Sequence, residues 1–310
     1  MLRYYAKRSL GEQFEELSTP LESGVWAHAE AIADKEVDEL VEKFGLDRNI
    51  IRDVYDENEL PRVEFSEDKE YVFLRVPQRT KKGDVEATPL LAIVDHSNYF
   101  TISTQANLLP HELIASSIPP HGGANSALLL GTIAALVAKY GELIQFTSDT
   151  IKSTGHRLKT HEVTNKDFIH FVTVEDNLNE YKMNLGGMLG VTGRLSENNH
   201  KIFNAADIEA IEDISLHLQQ LLVAVETHAQ NVDSIRKAYS TVANHTLNQR
   251  MKTLTILTVL ITLPNVLTGM YGMNVLLPYA DQPWAYAAIM GLIAALVLIA
   301  YLLAKRLKVF

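Results

Sequence analysis

The sequence contains no cysteine among its 310 residues. This absence excludes disulfide bonds, cysteine-ligated zinc, iron–sulfur clusters and thiol catalysis. Basic residues are also in deficit, because 28 lysines and arginines stand against 38 aspartates and glutamates, for a formal net charge of −10. Nucleic acid is therefore not expected as the main partner, since binding to it depends on neutralising phosphates with basic side chains.

Charge of either sign is almost missing from the C-terminal part of the chain. Asp281 is the only formal charge between Thr253 and Ala304, which leaves uncharged runs at 253–280 and 282–304. Each run exceeds the roughly 20 residues that a helix needs to cross the hydrocarbon of a bilayer, and glycine, proline and asparagine between the runs indicate a turn. The pattern predicts a hairpin of two transmembrane helices, because a soluble hairpin rarely lacks charge over this length.

Basic residues flank the predicted hairpin on one side only. Arg250 and Lys252 precede the first span, and Lys305, Arg306 and Lys308 follow the second, whereas the loop between the spans holds no lysine or arginine. Positive residues tend to remain on the cytoplasmic side of a membrane. We therefore expect a protein of the inner (plasma) membrane with two spans, both termini and the acidic body in the cytoplasm, and a short loop outside.

The rest of the chain combines β-strand patterns with long helical patterns, which predicts an α+β cytoplasmic domain. Apolar β-rich runs at 71–76, 90–94 and 99–103 are separated by turn sequences, as in a mixed α/β layer. Helical patterns then run through 124–158 and 166–193.

Two details of this region carry specific expectations. Asp34 is expected to be the N-cap of a helix that continues to Phe44, because aspartate favours that position. The apolar run 127–138 has only 12 residues, which fits a buried soluble helix better than a third membrane span.

No glycine or proline interrupts the helical pattern from about Ala205 until Pro264. A helix from Ala205 to Tyr271 would be about 100 Å long at 1.5 Å per residue, which is longer than a globular domain accommodates. The chain is thus predicted to form a cytoplasmic domain with a helical layer (1–204), a cytoplasmic stalk helix (205–250), a first transmembrane helix (251–271), an outer loop (272–283), a second transmembrane helix (284–304) and a basic tail (305–310).

Polar or small residues recur at every seventh position along the predicted long helix, and we call the face that they form the polar stripe. Its members are Asp213, Gln220, Thr227, Ser234, Thr241, Asn248, Thr255, Thr262 and Gly269, joined in the membrane half by Met251, Thr258, Asn265 and Gly272. Alternating spacings of three and four place these residues on one face of a helix. Polar residues inside a bilayer are costly and normally face a bundle interior or a water-filled cavity.

The polar stripe has two interpretations. Close helix–helix packing through threonine and glycine would account for part of it. A pore accounts for its whole length and for the amides of Asn248 and Asn265. Because one hairpin cannot enclose a channel, several copies would then surround an axis in a closed cyclic homo-oligomer. A lining without formal charge suits a cation that keeps its hydration shell, as Mg²⁺ tends to do, and the acidic body would raise the local cation concentration.

The segment Tyr271-Gly272-Met273-Asn274 stands at the outer end of the first predicted span. Together with the two spans, the acidic stalk, Asn248-x-x-Met251 and the basic tail, it resembles the CorA family of magnesium-type divalent-cation channels, whose signature is Gly-Met-Asn in this place. The resemblance implies a funnel-shaped homopentamer with an α/β/α cytoplasmic domain, in which the first membrane helix lines the pore.

The resemblance also implies roles for individual residues. Tyr271, Gly272, Met273 and Asn274 would form the outer selectivity filter, with Asn274 contacting the hydrated ion. The pore lining would comprise Asn248, Met251, Thr255 and Gly269, which match family positions, and Thr258, Thr262 and Asn265, which the polar stripe adds. The region of Met251 would form a hydrophobic gate.

A regulatory site for intracellular Mg²⁺ is a further implication of the resemblance. Asp213 matches the stalk-side sensor position, and Asp84 and Glu86 are candidate partners. The hairpin Arg79-Thr80-Lys81-Lys82 is basic where relatives carry acidic ligands, so the resemblance does not extend to a complete sensor. No permanently bound cofactor is expected, and Mg²⁺ would be the transported and regulatory ion.

Three alternatives stand beside magnesium transport. A zinc transporter of the ZntB type, with or without proton coupling, shares the architecture but often replaces the methionine that Met273 supplies, and the histidines lack the i, i+4 spacing of metal ligands. A membrane-anchored oligomeric scaffold would carry no ion. An enzyme is not expected, because the sequence has no phosphate-binding loop, nucleophile elbow or metal dyad.

Asn274→Ala should abolish cation uptake and leave the oligomer intact, because the side-chain amide is the expected contact with the hydrated ion. Metal uptake by vesicles that contain the variant, together with its elution volume in size-exclusion chromatography, checks this. Unaltered uptake would remove Asn274 from the filter.

Overall fold

The computed structural model describes residues 1–6, 14–17, 24–106, 108–109, 124–160, 165–273 and 282–306. The chain divides into two compact units, which we call the N-terminal unit (Met1–Asp233) and the C-terminal unit (Ser234–Phe310).

The described strands of the N-terminal unit form one seven-stranded sheet. In chain order they are β1 (Leu2–Ala6), β2 (Glu15–Leu17), β3 (Trp26–Ala29), β4 (Arg62–Ser66), β5 (Lys69–Arg79), β6 (Val85–Val94) and β7 (Tyr99–Ser103). Their order across the sheet is β2-β1-β3-β7-β6-β5-β4. Neighbours are antiparallel except β3 and β7, which run parallel with Trp26 opposite Tyr99.

The described helices include two short ones and four long ones. They are α1 (Asp34–Phe44), α2 (Arg48–Arg52), α3 (Ala124–Thr160), α4 (Asn165–Ser196), α5 (Ala205–Tyr271) and α6 (Ala285–Arg306), with a 3₁₀ turn at Asp53–Tyr55. Helix α5 has 67 residues and contributes to both units. The predicted bounds of the long helix, Ala205 and Tyr271, are confirmed.

Side chains of the central strands alternate between two buried faces, as expected for strands that helices cover on both sides. On one face, Tyr71 and Phe73 of β5 belong to a core with Leu40 of α1 and Ile51 of α2. All four side chains are fully buried.

The opposite face of the sheet is covered by the long helices. The Tyr99 hydroxyl of β7 lies 2.6 Å from the Thr132 hydroxyl of α3, and the Tyr140 hydroxyl of α3 donates to the carbonyl oxygen of Arg75 at 3.1 Å. The N-terminal unit is therefore layered α/β/α. The apolar run 127–138 lies in α3, where Leu129, Leu130 and most of its neighbours are buried, as the prediction of a soluble helix required.

The predicted cap of α1 is wrong by one residue. Ala33 is the N-cap and Asp34 is the first helical residue. The Glu36 carboxylate accepts a hydrogen bond from the Ala33 N–H at 3.0 Å, and this acidic group also favours the positive end of the helix dipole. At the other end Gly45 has φ 60°, and its N–H donates to the carbonyl of Val41, because glycine enters the left-handed region without steric cost.

Three described helices are long and apolar enough to cross a bilayer, namely α5, α6 and residues 125–156 of α3. The apolar window of α3 is mostly buried within the N-terminal unit, whereas those of α5 and α6 are almost entirely exposed. Exposed apolar surface on this scale indicates contact with lipid or with other chains.

Burial of an acidic side chain makes the stability of the N-terminal unit depend on pH. Glu70 of β5 is 5% exposed, and its Oε2 has no hydrogen-bond partner among the described residues. Burial raises the pKa of this carboxyl from 4.5 to about 7. Between these two values the unfolded chain has lost the proton that the folded chain keeps, so stability falls as the pH rises through this window.

Glu70→Gln should therefore be more stable than the parent at pH 8 and should show a weaker decline in melting temperature between pH 5 and pH 8. Circular dichroism melting of the intact chain in detergent measures both effects. Glu42→Gln, an exposed position on α1, is the matched control and should leave the decline unchanged. An equal decline in Glu70→Gln would contradict the assignment to this carboxyl.

Candidate pore-lining site

From Asp213 to Thr227, the polar stripe lies on the side of α5 that faces away from the core of the N-terminal unit. Ile211, Leu218, Val225 and Val232 are buried at seven-residue spacing. Asp213, Gln220, Thr227 and Ser234 of the stripe each follow one of these buried residues by two positions. Two positions correspond to about 200° around the helix axis. The stripe residues from Asp213 to Ser234 are accordingly exposed.

The same relation holds in the C-terminal unit. The partly shielded residues of α5 include Ile256, Leu260, Leu263 and Leu267. Each again precedes a stripe residue by two positions, and the corresponding stripe residues are Thr258, Thr262, Asn265 and Gly269, all exposed. The polar side chains therefore lie on the side of α5 opposite its shielded apolar side.

Residues of α5 and α6 line an apolar groove. The groove has a volume of about 350 Å³ and is lined by Thr258, Val259, Thr262, Leu263, Val266 and Leu267 of α5 and by Leu296 of α6. Two residues of the polar stripe, Thr258 and Thr262, therefore line this groove within one chain. Asn248, Thr255 and Asn265 are not among its lining residues.

Three of the four predicted filter residues lie at the C-terminal end of α5. Tyr271 ends the helix, and the Gly272 N–H donates to the carbonyls of Thr268 at 3.0 Å and Gly269 at 3.2 Å, which closes the last turn. The Met273 side chain is exposed. Asn274 lies outside the described residues, so its part in the filter stays a prediction.

The candidate regulatory residues lie on two separate elements, with Asp213 on α5 and the other two on a hairpin of the sheet. Asp84 and Glu86 belong to the β5–β6 hairpin, which Asn177 of α4 holds in place by accepting from the Val85 N–H at 2.7 Å and donating to the Gly83 carbonyl at 3.0 Å. Among the described residues, no group of three or more histidine or acidic side chains is placed to hold a metal ion.

A polar cavity of about 310 Å³ beside Glu86 was not predicted from the sequence. Buried Arg75 lines it and donates to the carbonyls of Glu57 at 2.9 Å and Glu59 at 3.0 Å, with the Glu180 carboxylate 3.8 Å away. The lining comes from several separate segments of the chain, so no local motif could have indicated the cavity.

Comparison with known proteins identifies this architecture. A family profile described as CorA-like Mg²⁺ transporter protein matches residues 22–306. The cobalt/magnesium transport protein CorA of Methanocaldococcus jannaschii is 24% identical over 291 residues, which cover 91% of this chain and 90% of that protein.

Solved structures agree with the sequence comparison. The complete CorA magnesium transporter structure from Methanocaldococcus jannaschii matches with a TM-score of 0.84 at 21% identity, over 99% of this chain and 98% of that one. The cytoplasmic domain of ZntB from Vibrio parahaemolyticus matches with a TM-score of 0.59 at 12% identity, over 78% of this chain and 98% of that one. At these identities the structures show a shared fold and do not by themselves separate the transported metals.

Proposed function

Because this chain belongs to the CorA-like Mg²⁺ transporter family, we propose that it transports divalent metal cations through a pore lined by the polar stripe. Hydrated Mg²⁺ is the proposed main substrate, with Co²⁺ and Ni²⁺ as further candidates. The observation that carries the proposal is the position of the stripe, which lies opposite the buried face of α5 in one unit and opposite its shielded face in the other.

The proposed setting is the inner (plasma) membrane. Residues 251–271 of α5 and 284–304, most of which lie in α6, would form the two spans, and the basic residues that flank them would keep both termini in the cytoplasm. An inside-negative membrane potential then drives entry, since moving two charges through 100 mV releases roughly 4.6 kcal/mol. No nucleotide hydrolysis is needed for transport in this direction.

Self-association completes the proposed pore. Each chain presents its polar stripe outward, so a cyclic arrangement of copies can turn every stripe toward one axis and leave the apolar sides toward α6 and lipid. Five copies are proposed from the family resemblance. Gly272, Met273 and Asn274 would then surround the outer entrance, and Met251 would form a narrow apolar ring at the cytoplasmic end.

Zinc transport of the ZntB type is the nearest alternative and is less well supported. The matching family profile is the CorA-like one. Met273 is also present at the signature position where the zinc branch often has another residue. The described histidines form no cluster that could hold a metal. A membrane-anchored scaffold would leave the polar side of α5 unexplained.

Metal flux into liposomes tests the proposed function. Purified protein should admit Mg²⁺ faster than empty liposomes do when the interior is negative, and the flux should not require a pH gradient. Preference for Zn²⁺ together with dependence on a pH gradient would favour the ZntB alternative. Absence of flux for Mg²⁺, Co²⁺, Ni²⁺ and Zn²⁺ would favour the scaffold.

Thr255→Val and Thr262→Val should each lower Mg²⁺ flux about fivefold, because each removes a hydroxyl that contacts the hydration shell and a hydrogen bond contributes about 1 kcal/mol. Thr253→Val is the matched control. Thr253 is also exposed and also donates to the carbonyl four residues earlier, but it stands two positions before Thr255 and therefore on the opposite side of α5. Equal losses in all three variants would contradict a wetted stripe.

Asp213→Ala should weaken inhibition of flux by Mg²⁺ on the cytoplasmic side, because it removes the carboxylate that matches the stalk-side sensor position. The measurement is the Mg²⁺ concentration that halves the flux, which should rise severalfold. Glu212→Ala, an exposed neighbour outside the stripe, is the control. An unchanged response to Mg²⁺ in Asp213→Ala would show that Asp213 takes no part in sensing.

A further inference from the structure

The threonines in the membrane half of the polar stripe use their hydroxyl protons within their own helix. Thr255 Oγ1 bonds to the carbonyl oxygen of Met251 at 2.9 Å, Thr258 Oγ1 to that of Leu254 at 2.8 Å, and Thr262 Oγ1 to that of Thr258 at 2.7 Å. A carbonyl oxygen carries no hydrogen, so the hydroxyl is the donor in every pair. All three threonines are exposed, and their oxygens therefore offer only lone pairs to the surroundings.

We infer that these acceptor-only hydroxyls select hydrated cations against hydrated anions without any formal charge in the passage. The inference rests on the proposed function, because it requires that the stripe lines a pore. A water molecule bound to a cation directs its oxygen to the ion and both hydrogens outward, where lone pairs on the wall can accept them. A water molecule bound to an anion directs a hydrogen inward and lone pairs outward, and an acceptor-only wall leaves those lone pairs without a donor.

The other stripe residues of the membrane half cannot provide this discrimination. The amides of Asn248 and Asn265 carry both donors and acceptors and can present either to a passing ion. Gly269 has no side chain, and Met251 has only a weak sulfur acceptor. The helical backbone fixes the polarity of the threonines, because it holds their protons, so their selectivity is built in when the helix forms.

Distant negative charge is the competing source of cation selectivity. The chain has a formal net charge of −10, and an acidic body can concentrate cations at an entrance. These two sources respond differently to salt. Electrostatic attraction is screened over about 3 Å at 1 M ionic strength, whereas a hydrogen bond between a wall oxygen and a hydration water is a direct contact and persists.

Reversal potentials in planar bilayers separate these sources. Unequal MgCl₂ concentrations across the bilayer give the ratio of Mg²⁺ to chloride permeability, which does not depend on how many channels are active. We expect Thr255→Val and Thr262→Val to lower this ratio about fivefold. Thr262→Ser should keep it within about twofold, since serine also donates to the carbonyl four residues earlier. Thr253→Val should leave it unchanged, and the parent should keep its ratio at about 1 M salt.

Two results would overturn the inference. One is an unchanged ratio in both valine variants, and the other is a parent ratio that falls to near unity at high salt. If the valine variants carry no current, the permeability ratio is measured in Thr262→Ala, whose smaller side chain leaves a wider opening. If that variant also carries no current, the permeability ratio of the parent at high salt decides whether the inference holds. A parent protein without any current contradicts the proposed function and is thereby distinguished from a failure of this inference.

Discussion

Hydroxyl and amide groups in hydrocarbon need hydrogen-bond partners, and this requirement governs how the C-terminal unit can exist in a membrane. An unpartnered polar group in an apolar medium costs several kcal/mol, and α5 carries such groups from Asn248 to Asn265. The helix supplies an acceptor for each threonine proton, but it supplies no donor for the threonine lone pairs. In the proposed pore, water along the shared axis would supply those donors.

The packing of the N-terminal unit determines which side of its part of α5 is buried. Ile211, Leu218 and Val225 bury one side of the helix in the helical layer, and Ser126 of α3 donates to the Asp207 carboxylate at 2.9 Å near its start. Because this side is buried, the stripe residues Asp213, Gln220 and Thr227 on the opposite side of the helix in the same unit are exposed.

Sequence patterns predicted the long elements well and the edges of the sheet poorly. Helix α5 and strand β7 have the predicted bounds, because uninterrupted helical periodicity and a short apolar run between turn residues are strong local signals. Strands β1, β2 and β4 were not predicted. They are short, two of them lie at the sheet edges, and they exist because a neighbouring strand supplies hydrogen bonds, which no local pattern records. The stripe was visible in the sequence, but its position opposite the buried side of α5 required the packing.

The seven-residue spacing of the stripe also restricts how copies of α5 can associate. A straight α-helix drifts about 20° per seven residues, so eight such steps from Asp213 to Gly269 would carry the stripe through about 160° around the helix. Straight helices could therefore not keep their stripes on one axis. A left-handed coil of the helices around each other would compensate for this drift. Pro264 lies inside α5 and cannot donate a backbone hydrogen bond, which permits a local change of direction near the C-terminal end of the helix. The buried residues from Ile211 to Val232 repeat at the same spacing and drift with the stripe. The two sides of α5 thus stay opposite each other wherever the helix coils.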